Sequence, residues 1–185
     1  MSSAVSSSSP SAFDRLHPDV QRWIWEQGWQ ELREIQSLAV DGVLGSENDL
    51  IIAAATAAGK TEAAFLPILS RVAGTPVASF AVLYISPLKA LINDQFRRLE
   101  LLCERLSLPV VKWHGDAAAA AKAKAMRDPR GVVLITPESI ESLLVRRGHE
   151  VRRLIGETAF IVIDELHAFM SGERGVHLAS LLKRL

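Results

Sequence analysis

Hydrophobic residues in this chain form short uninterrupted runs separated by longer stretches with helical periodicity. Each run is bounded by polar or turn-forming residues. Runs of this kind are typical of strands buried on both faces of a parallel sheet. Five strands are predicted on this basis, at 50–53, 80–85, 110–113, 132–135 and 160–163.

Helices are predicted in the stretches around these strands. Strands that alternate with helices favour an α/β fold, with a mostly parallel central sheet and helices on both faces. Ligands of such folds bind beyond the carboxyl ends of the strands, so the polar residues there are the candidate site. The predicted helices are one around Trp23 that stops at Gly28, one at 32–44 ended by Gly45, one from the Gly59-Lys60-Thr61 turn to 72, and others at 88–106, 117–126 and 138–146.

The two ends of the chain differ in character. Residues 1–12 are mostly serine and lack the apolar run of a signal peptide, so we expect a disordered tail followed by one domain over 13–185. The last helix carries an apolar stripe and has no terminating glycine or proline, which indicates a domain that is incomplete at its C-terminus. The stripe consists of Leu178, Leu181, Leu182 and Leu185.

Composition limits the function classes. The 21 basic and 21 acidic residues cancel, so binding of nucleic acid would depend on local patches. One basic cluster lies at 146–153 and contains Arg146, Arg147, Arg152 and Arg153. It is interpreted as a solvated, charged helix end, and contact with phosphates is the less favoured alternative. Cys103 is the only cysteine and is expected to fill the core. No apolar stretch approaches the ~20 residues of a membrane span, and a cytoplasmic location is expected.

The segment 54–61 has the features of a phosphate-binding loop. It reads Ala-Ala-Thr-Ala-Ala-Gly-Lys-Thr, follows a predicted strand and opens a predicted helix. Backbone N–H groups of such a loop hold phosphates, the lysine bridges the β- and γ-oxygens, and the hydroxyl binds Mg²⁺. The residues predicted to bind ATP are therefore Thr56, Ala57, Ala58, Gly59, Lys60 and Thr61.

A pair of acidic residues follows the last predicted strand. Asp164 is predicted to hold Mg²⁺, partly through water because this ion dehydrates reluctantly. Glu165 is predicted to polarise the water that attacks the γ-phosphate. An acidic turn that caps a helix is the alternative, which a phosphate-binding loop about a hundred residues upstream makes less favoured. Lys60, Asp164 and Glu165 are the predicted catalytic residues.

Three further segments complete a recognisable series of motifs. Gln36 lies in Leu-Arg-Glu-Ile-Gln at 32–36, residues 86–91 read Ser-Pro-Leu-Lys-Ala-Leu, and residues 136–139 read Thr-Pro-Glu-Ser. With 54–61 and 164–167, they resemble the first RecA-like domain of superfamily 2 DEAD/DEAH-box helicases, nearest to the Lhr-type and Ski-type enzymes. The resemblance covers 13–185. Ala54 departs from the general P-loop pattern, which has glycine there, and the family pattern usually has glycine at Ala57 and a small residue at Ala58.

The resemblance implies roles that the residues alone do not establish. It implies that Gln36 reads the adenine edge, that Phe13 stacks near the base and that His167 couples hydrolysis to strand movement. It also implies that two segments grip one strand, of DNA or RNA with DNA favoured, near His114-Gly115-Asp116. The residues in these segments are Pro87, Leu88, Lys89, Thr136, Pro137 and Glu138.

A complete helicase of this type has a second RecA-like domain, which supplies arginine fingers worth ~10³–10⁵ in rate. That domain is absent from 1–185. The resemblance therefore implies a chain that binds ATP and Mg²⁺ but hydrolyses ATP slowly. Two alternatives remain open at this point: a degenerate partner module that does not hydrolyse ATP, and a non-helicase DNA motor of the same superfamily.

Overall fold

The computed structural model describes residues 10–55, 58–75 and 77–185. Within these residues the chain divides between Arg71 and Val72 into two compact units. In the described part of the chain, no helix is both long enough and apolar enough to cross a membrane.

The first unit is helical. A short 3₁₀ helix, Phe13–Arg15, precedes α1 (Pro18–Glu26), α2 (Glu34–Gly45) and α3 (Lys60–Val72), whose last residue lies past the division. His17 caps the N-terminus of α1, where its Nδ1 accepts a hydrogen bond from Asp19 N at 3.2 Å. The His17 N–H donates to Ser70 Oγ of α3 at 3.0 Å, which ties the start of α1 to α3.

The strand predicted at 50–53 is wrong. These residues pair with no other strand among the described residues, all of whose strands belong to the second unit. The side chains of Leu50 and Ile51 are exposed, at 46% and 80% of their full area. An apolar run marks a segment suited to burial, but a strand also needs a neighbour to accept and donate its backbone hydrogen bonds.

The second unit is built on a four-stranded sheet. Its strands, in the order β2-β3-β1-β4, are all parallel. The strands are β1 (Val82–Ile85), β2 (Val110–Trp113), β3 (Val132–Ile135) and β4 (Phe160–Ile163). The helices are α4 (Lys89–Arg105), α5 (Ala119–Arg127), α6 (Pro137–Ile155), a 3₁₀ helix Leu166–Phe169, and α7 (Gly172–Leu182). The predicted parallel α/β fold is thus confirmed.

Helices cover both faces of this sheet because successive side chains of a strand point to opposite faces. On one face, Leu83 and Ile85 belong to a buried cluster with Ile140 of α6 and Leu181 of α7. On the other face, the Lys112 ammonium lies 4.7 Å from the centre of the Phe96 ring of α4. The sheet is therefore the middle layer, and its ends remain the places where polar groups can gather.

Two predicted boundaries differ from the structure. The α6 helix continues to Ile155 rather than stopping near Arg146, with non-helical backbone at Arg147 (φ −139°, ψ 33°). Gly148, directly after this kink, resembles a helix-ending glycine in the sequence. The helix nevertheless continues, and Leu154 packs in the buried core. Strand β1 begins at Val82 rather than Phe80 because the Phe80 N–H donates to Leu154 O, at 2.8 Å.

We predict that Gly131→Ala destabilises the second unit strongly. Gly131 has φ +74°, and a β-carbon there would lie 2.1 Å from Pro109 O, a backbone atom that no side-chain rotation can move. The matched control is Gly74→Ala, at φ +72° with no atom within 4 Å, which meets only the backbone strain of about 1 kcal/mol. Urea unfolding should show a clearly larger decrease in the free energy of unfolding for Gly131→Ala than for Gly74→Ala. Equal decreases in the two variants would contradict this packing.

Candidate functional site

The carboxyl ends of the four strands bring polar residues into one row. Ile85 is paired with Ile135 and with Ile163, and Trp113 is paired with Ile135. The pairing continues past the strand ends, since Ser86 N donates to Ile135 O at 3.1 Å and Asp164 N donates to Ile85 O at 2.9 Å. The row, in sheet order, is His114, Thr136, Ser86 and Asp164. We call it the edge row.

A buried tyrosine holds the side chain of Asp164, which lies at one end of the edge row. Tyr84 of β1 is 2% exposed, and its hydroxyl donates a hydrogen bond to Asp164 Oδ2. Burial raises the pKa of Tyr84 far above its usual range, and the carboxylate of Asp164 raises it further, so the phenol stays protonated and acts as the donor. Sequence reasoning missed this contact. The available signal was a tyrosine, the only one in the chain, within an otherwise apolar strand.

Glu165 has an unusual backbone conformation directly after Asp164. Its φ of 49° and ψ of 45° lie in the left-handed region, which costs a residue with a β-carbon on the order of 1 kcal/mol. The turn ends β4 and starts the 3₁₀ helix at Leu166. Glu165 Oε2 lies 3.3 Å from Nδ1 of His167, whose side chain is 76% exposed. The Glu165 carboxylate thus lies beside His167, whereas that of Asp164 accepts a hydrogen bond from Tyr84.

The donor set of this turn suits a hydrated hard cation. Among the described residues, no group of three or more histidine, cysteine or acidic side chains could enclose a metal ion. Mg²⁺ does not need such an enclosure, because it keeps several waters and binds through one or two carboxylates together with phosphate oxygens. The carboxylate of Asp164, half-buried and held by Tyr84 on one oxygen, fits that mode.

The predicted phosphate-binding loop belongs to the first unit. Thr56 and Ala57 lie outside the described residues, so the predictions for them stay untested. Lys60 is the first residue of α3, and its ammonium donates to Ala54 O across the loop at 2.9 Å. Gly59 has φ +84°, a conformation that favours glycine. The loop thus turns directly into a helix N-terminus, as the sequence predicts.

Gln36 is buried against this loop. Its side chain is 2% exposed, and Oε1 accepts a hydrogen bond from Arg33 N at 2.9 Å. A β-carbon at Gly59 would come within 2.9 Å of Gln36 Nε2. The amide therefore helps to start α2 and lies close to Gly59, where the φ of +84° favours glycine. The adenine contact stays a prediction.

The predicted nucleic-acid segments lie next to the edge row. Pro87 and Thr136 are buried, whereas Leu88 and Glu138 are exposed. The Thr136 hydroxyl donates to Ser139 Oγ at 3.1 Å within the first turn of α6, whose first residue is Pro137.

Lys89, the first residue of α4, extends to the loop after β2. Its Nζ lies 2.8 Å from Asp116 Oδ2, and both side chains are more than half exposed. Hydrogen bonding to Lys89 holds the pKa of Asp116 below its usual range. The sequence did not reveal this pair, because its partners are 27 residues apart, one at the start of α4 and the other in the loop after β2.

His114 is buried at the opposite end of the edge row from Asp164. It is 4% exposed, and neither ring nitrogen has a hydrogen-bond partner among the described residues. Burial lowers the pKa of His114, an effect that the charge of Asp116 opposes and the charges of neighbouring lysines reinforce. The imidazole is therefore neutral at neutral pH.

Two features away from the edge row can be assigned. Cys103 is fully buried, and burial raises the pKa of its thiol to about 12, which confirms its role in the core. The arginine cluster at the end of α6 is exposed and partly paired, since Arg147 and Arg153 both contact Glu150. Arg153 also donates to Met126 O at 2.6 Å, which fastens α6 to the end of α5.

We predict that the stability of the chain falls as pH drops below about 6.5, and that His114→Asn reduces this dependence. The folded-state pKa of His114 is lowered, so the unfolded state binds the proton first and is favoured as pH falls through the unfolded value. Urea unfolding of both proteins between pH 7 and pH 5 measures the difference. An identical pH slope for the two would contradict the neutral buried imidazole.

Comparisons with known proteins agree with this architecture. Residues 33–185 match the family described as DEAD/DEAH box helicase. The chain is 31% identical over 186 residues to the ATP-dependent helicase Lhr-Core of Methanothermobacter thermautotrophicus, covering 92% of this chain and 21% of that protein. It is 37% identical over 161 residues to the Lhr helicase/uracil glycosylase of Escherichia coli, covering 76% of this chain and 10% of that protein.

Solved structures show the same fold. The Mycobacterium smegmatis helicase Lhr bound to ssDNA and AMP-PNP has a TM-score of 0.76 at 29% identity, covering 95% of this chain and 23% of that one. The DUF1998 helicase MrfA bound to DNA and AMPPNP has a TM-score of 0.81 at 25% identity, covering 92% and 24%. The chain thus spans about a fifth or less of the curated relatives named above. With the family match over most of its length, the chain belongs to the DEAD/DEAH box helicases.

Proposed function

We propose that this chain is the ATP-binding module of a helicase that moves along single-stranded DNA. The observation that carries the proposal is the geometry at the start of α3. There, Gly59 has a left-handed backbone conformation, and the ammonium of Lys60 donates a hydrogen bond to Ala54 O. A helix N-terminus preceded by such a turn attracts phosphate through its partial positive charge.

Within this proposal, the phosphate groups of ATP bind at 54–61. Lys60 exchanges its contact with a loop carbonyl for charge-assisted hydrogen bonds to phosphate oxygens, which are stronger. Thr61, in the first turn of α3, contributes its hydroxyl to Mg²⁺. Gln36, already buried against Gly59, is the proposed contact for adenine.

The acidic turn supplies the other chemical groups. Asp164 binds Mg²⁺, an ion that neutralises charge on the phosphates when it is bound. Glu165 orients and polarises the attacking water. His167, which lies 3.3 Å from Glu165, is the proposed link between this turn and strand movement.

The proposed partners are a second RecA-like domain and a single strand of DNA. Hydrolysis by 1–185 alone is expected to be slow, because arginine fingers from a second domain stabilise the transition state. Lys89 at the start of α4 and the first turn of α6 both lie next to the edge row and would contact the phosphates of the DNA strand. DNA is favoured because the Lhr and MrfA structures named above contain DNA. The cytoplasmic location stays a prediction.

We predict that Lys60→Ala removes measurable nucleotide binding and leaves the fold intact. The variant loses the cation that neutralises the phosphates. The hydrogen bond that it breaks joins Lys60 only to Ala54 O, within the same short segment, so the fold should not depend on it. Titration of a fluorescent ATP analogue measures the affinity, and thermal melting followed by circular dichroism checks the fold. Lys124→Ala, on the exposed surface of α5, is the matched control and should bind as the wild type does. An unchanged affinity in Lys60→Ala would refute the phosphate assignment.

We predict that Lys89→Ala weakens binding of single-stranded DNA equally for all base sequences. A lysine that neutralises one phosphate should lower the slope of log affinity against log salt by about 0.7. Fluorescence anisotropy of labelled oligonucleotides at several salt concentrations measures both quantities.

A second variant separates a phosphate contact from a structural role of the Lys89–Asp116 pair. Asp116→Asn breaks the same ion pair but frees the ammonium, so binding should stay constant or become tighter. Equal weakening in Asp116→Asn and Lys89→Ala would show that the pair matters only for local structure.

A further inference from the structure

We propose that Tyr84 is a positioning residue for the magnesium site, because its hydroxyl fixes the orientation of the Asp164 carboxylate. The inference rests on the proposed function, in which Asp164 binds the ion. Tyr84 does not contact nucleotide or metal in this proposal and acts through the carboxylate alone.

The sheet register places the phenol within reach of Asp164. Tyr84 is paired with Val162, and Asp164 lies two residues further along the same strand direction. Residues two apart point to the same face, so the two side chains are diagonal neighbours on adjacent strands. Aromatic side chains are long enough to span such a diagonal. The hydrogen bond between Tyr84 Oη and Asp164 Oδ2 follows from this arrangement.

The backbone holds both ends of this contact. Asp164 N donates to Ile85 O at 2.9 Å, so the residue next to Tyr84 anchors the main chain of Asp164. Tyr84 itself is buried to 2% exposure in a strand that is buried along its whole length. With its backbone and one carboxylate oxygen fixed, Asp164 can direct Oδ1 toward an ion. A carboxylate on an otherwise unrestrained side chain would lose rotational freedom when it binds Mg²⁺.

Groups that hydrogen-bond to a metal ligand have measurable effects on the affinity for the metal. Removal of a group that hydrogen-bonds to a ligand typically lowers metal affinity or activity 10–100-fold. Tyr84→Phe removes only the hydroxyl and keeps the aromatic ring in the sheet. We therefore expect the Mg²⁺ concentration that half-saturates the nucleotide complex to rise about 10-fold in this variant.

The experiment compares nucleotide binding with and without Mg²⁺ in the 185-residue chain. A fluorescent, non-hydrolysable ATP analogue is titrated in EDTA and then at increasing Mg²⁺. In Tyr84→Phe, the affinity in EDTA should equal that of the wild type, and only the dependence on Mg²⁺ should shift. A structural role alone would weaken both or neither.

Ser79→Ala is the matched control. Ser79 is 1% exposed, and its hydroxyl accepts a hydrogen bond from Glu157 N at 2.9 Å, on the amino-terminal side of β1. This variant also deletes one buried hydroxyl next to the sheet but touches no part of the acidic turn. Its Mg²⁺ dependence should match the wild type even if its unfolding midpoint falls.

The outcomes separate this inference from the function on which it rests. A wild-type chain that binds the analogue no better with Mg²⁺ than in EDTA would overturn the magnesium assignment and the inference together. A wild-type dependence on Mg²⁺ that is unchanged in Tyr84→Phe would overturn the inference alone. A shift of the same size in Ser79→Ala would also overturn it, because the effect would then follow from lost stability.

Discussion

The parallel pairing of β1 with β3 and β4 is the constraint on which the rest of the second unit depends. Ile85 is in register with Ile135 on one side and with Ile163 on the other. Parallel strands in register end at the same level, so the residues that follow them must meet along one edge. A slip of one residue would move every side chain of a strand to the opposite face.

This register explains why one face of the sheet is apolar while polar groups collect at its carboxyl edge. Leu83 and Ile85 point into the cluster formed with α6 and α7, whereas Tyr84 points the other way. The same alternation puts Asp164 on the face of Tyr84, where the phenol reaches it. Alternate residues of β1 therefore serve two purposes, since Leu83 and Ile85 pack in the core and Tyr84 holds the carboxylate of Asp164.

Local patterns predicted most of the fold and the positions of the motifs. Asp164 could be placed at a strand end because an apolar run of strand length immediately precedes it, and Lys60 at a helix start because a Gly-Lys-Thr turn does. The predicted strand at 50–53 failed for a physical reason: pairing is a property of two segments, and the hydrophobicity of one does not specify the other. The contact between Tyr84 and Asp164 spans 80 residues and follows only from register, which no local pattern reveals.

The most direct test of the proposed ATP and Mg²⁺ site is a calorimetric titration of the purified 185-residue chain with a non-hydrolysable ATP analogue, with and without Mg²⁺. We predict saturable binding to one site, strengthened by Mg²⁺, because we propose that Lys60 holds phosphate and that Asp164 holds the ion. Absence of binding at millimolar nucleotide, or binding that is indifferent to Mg²⁺, would contradict it.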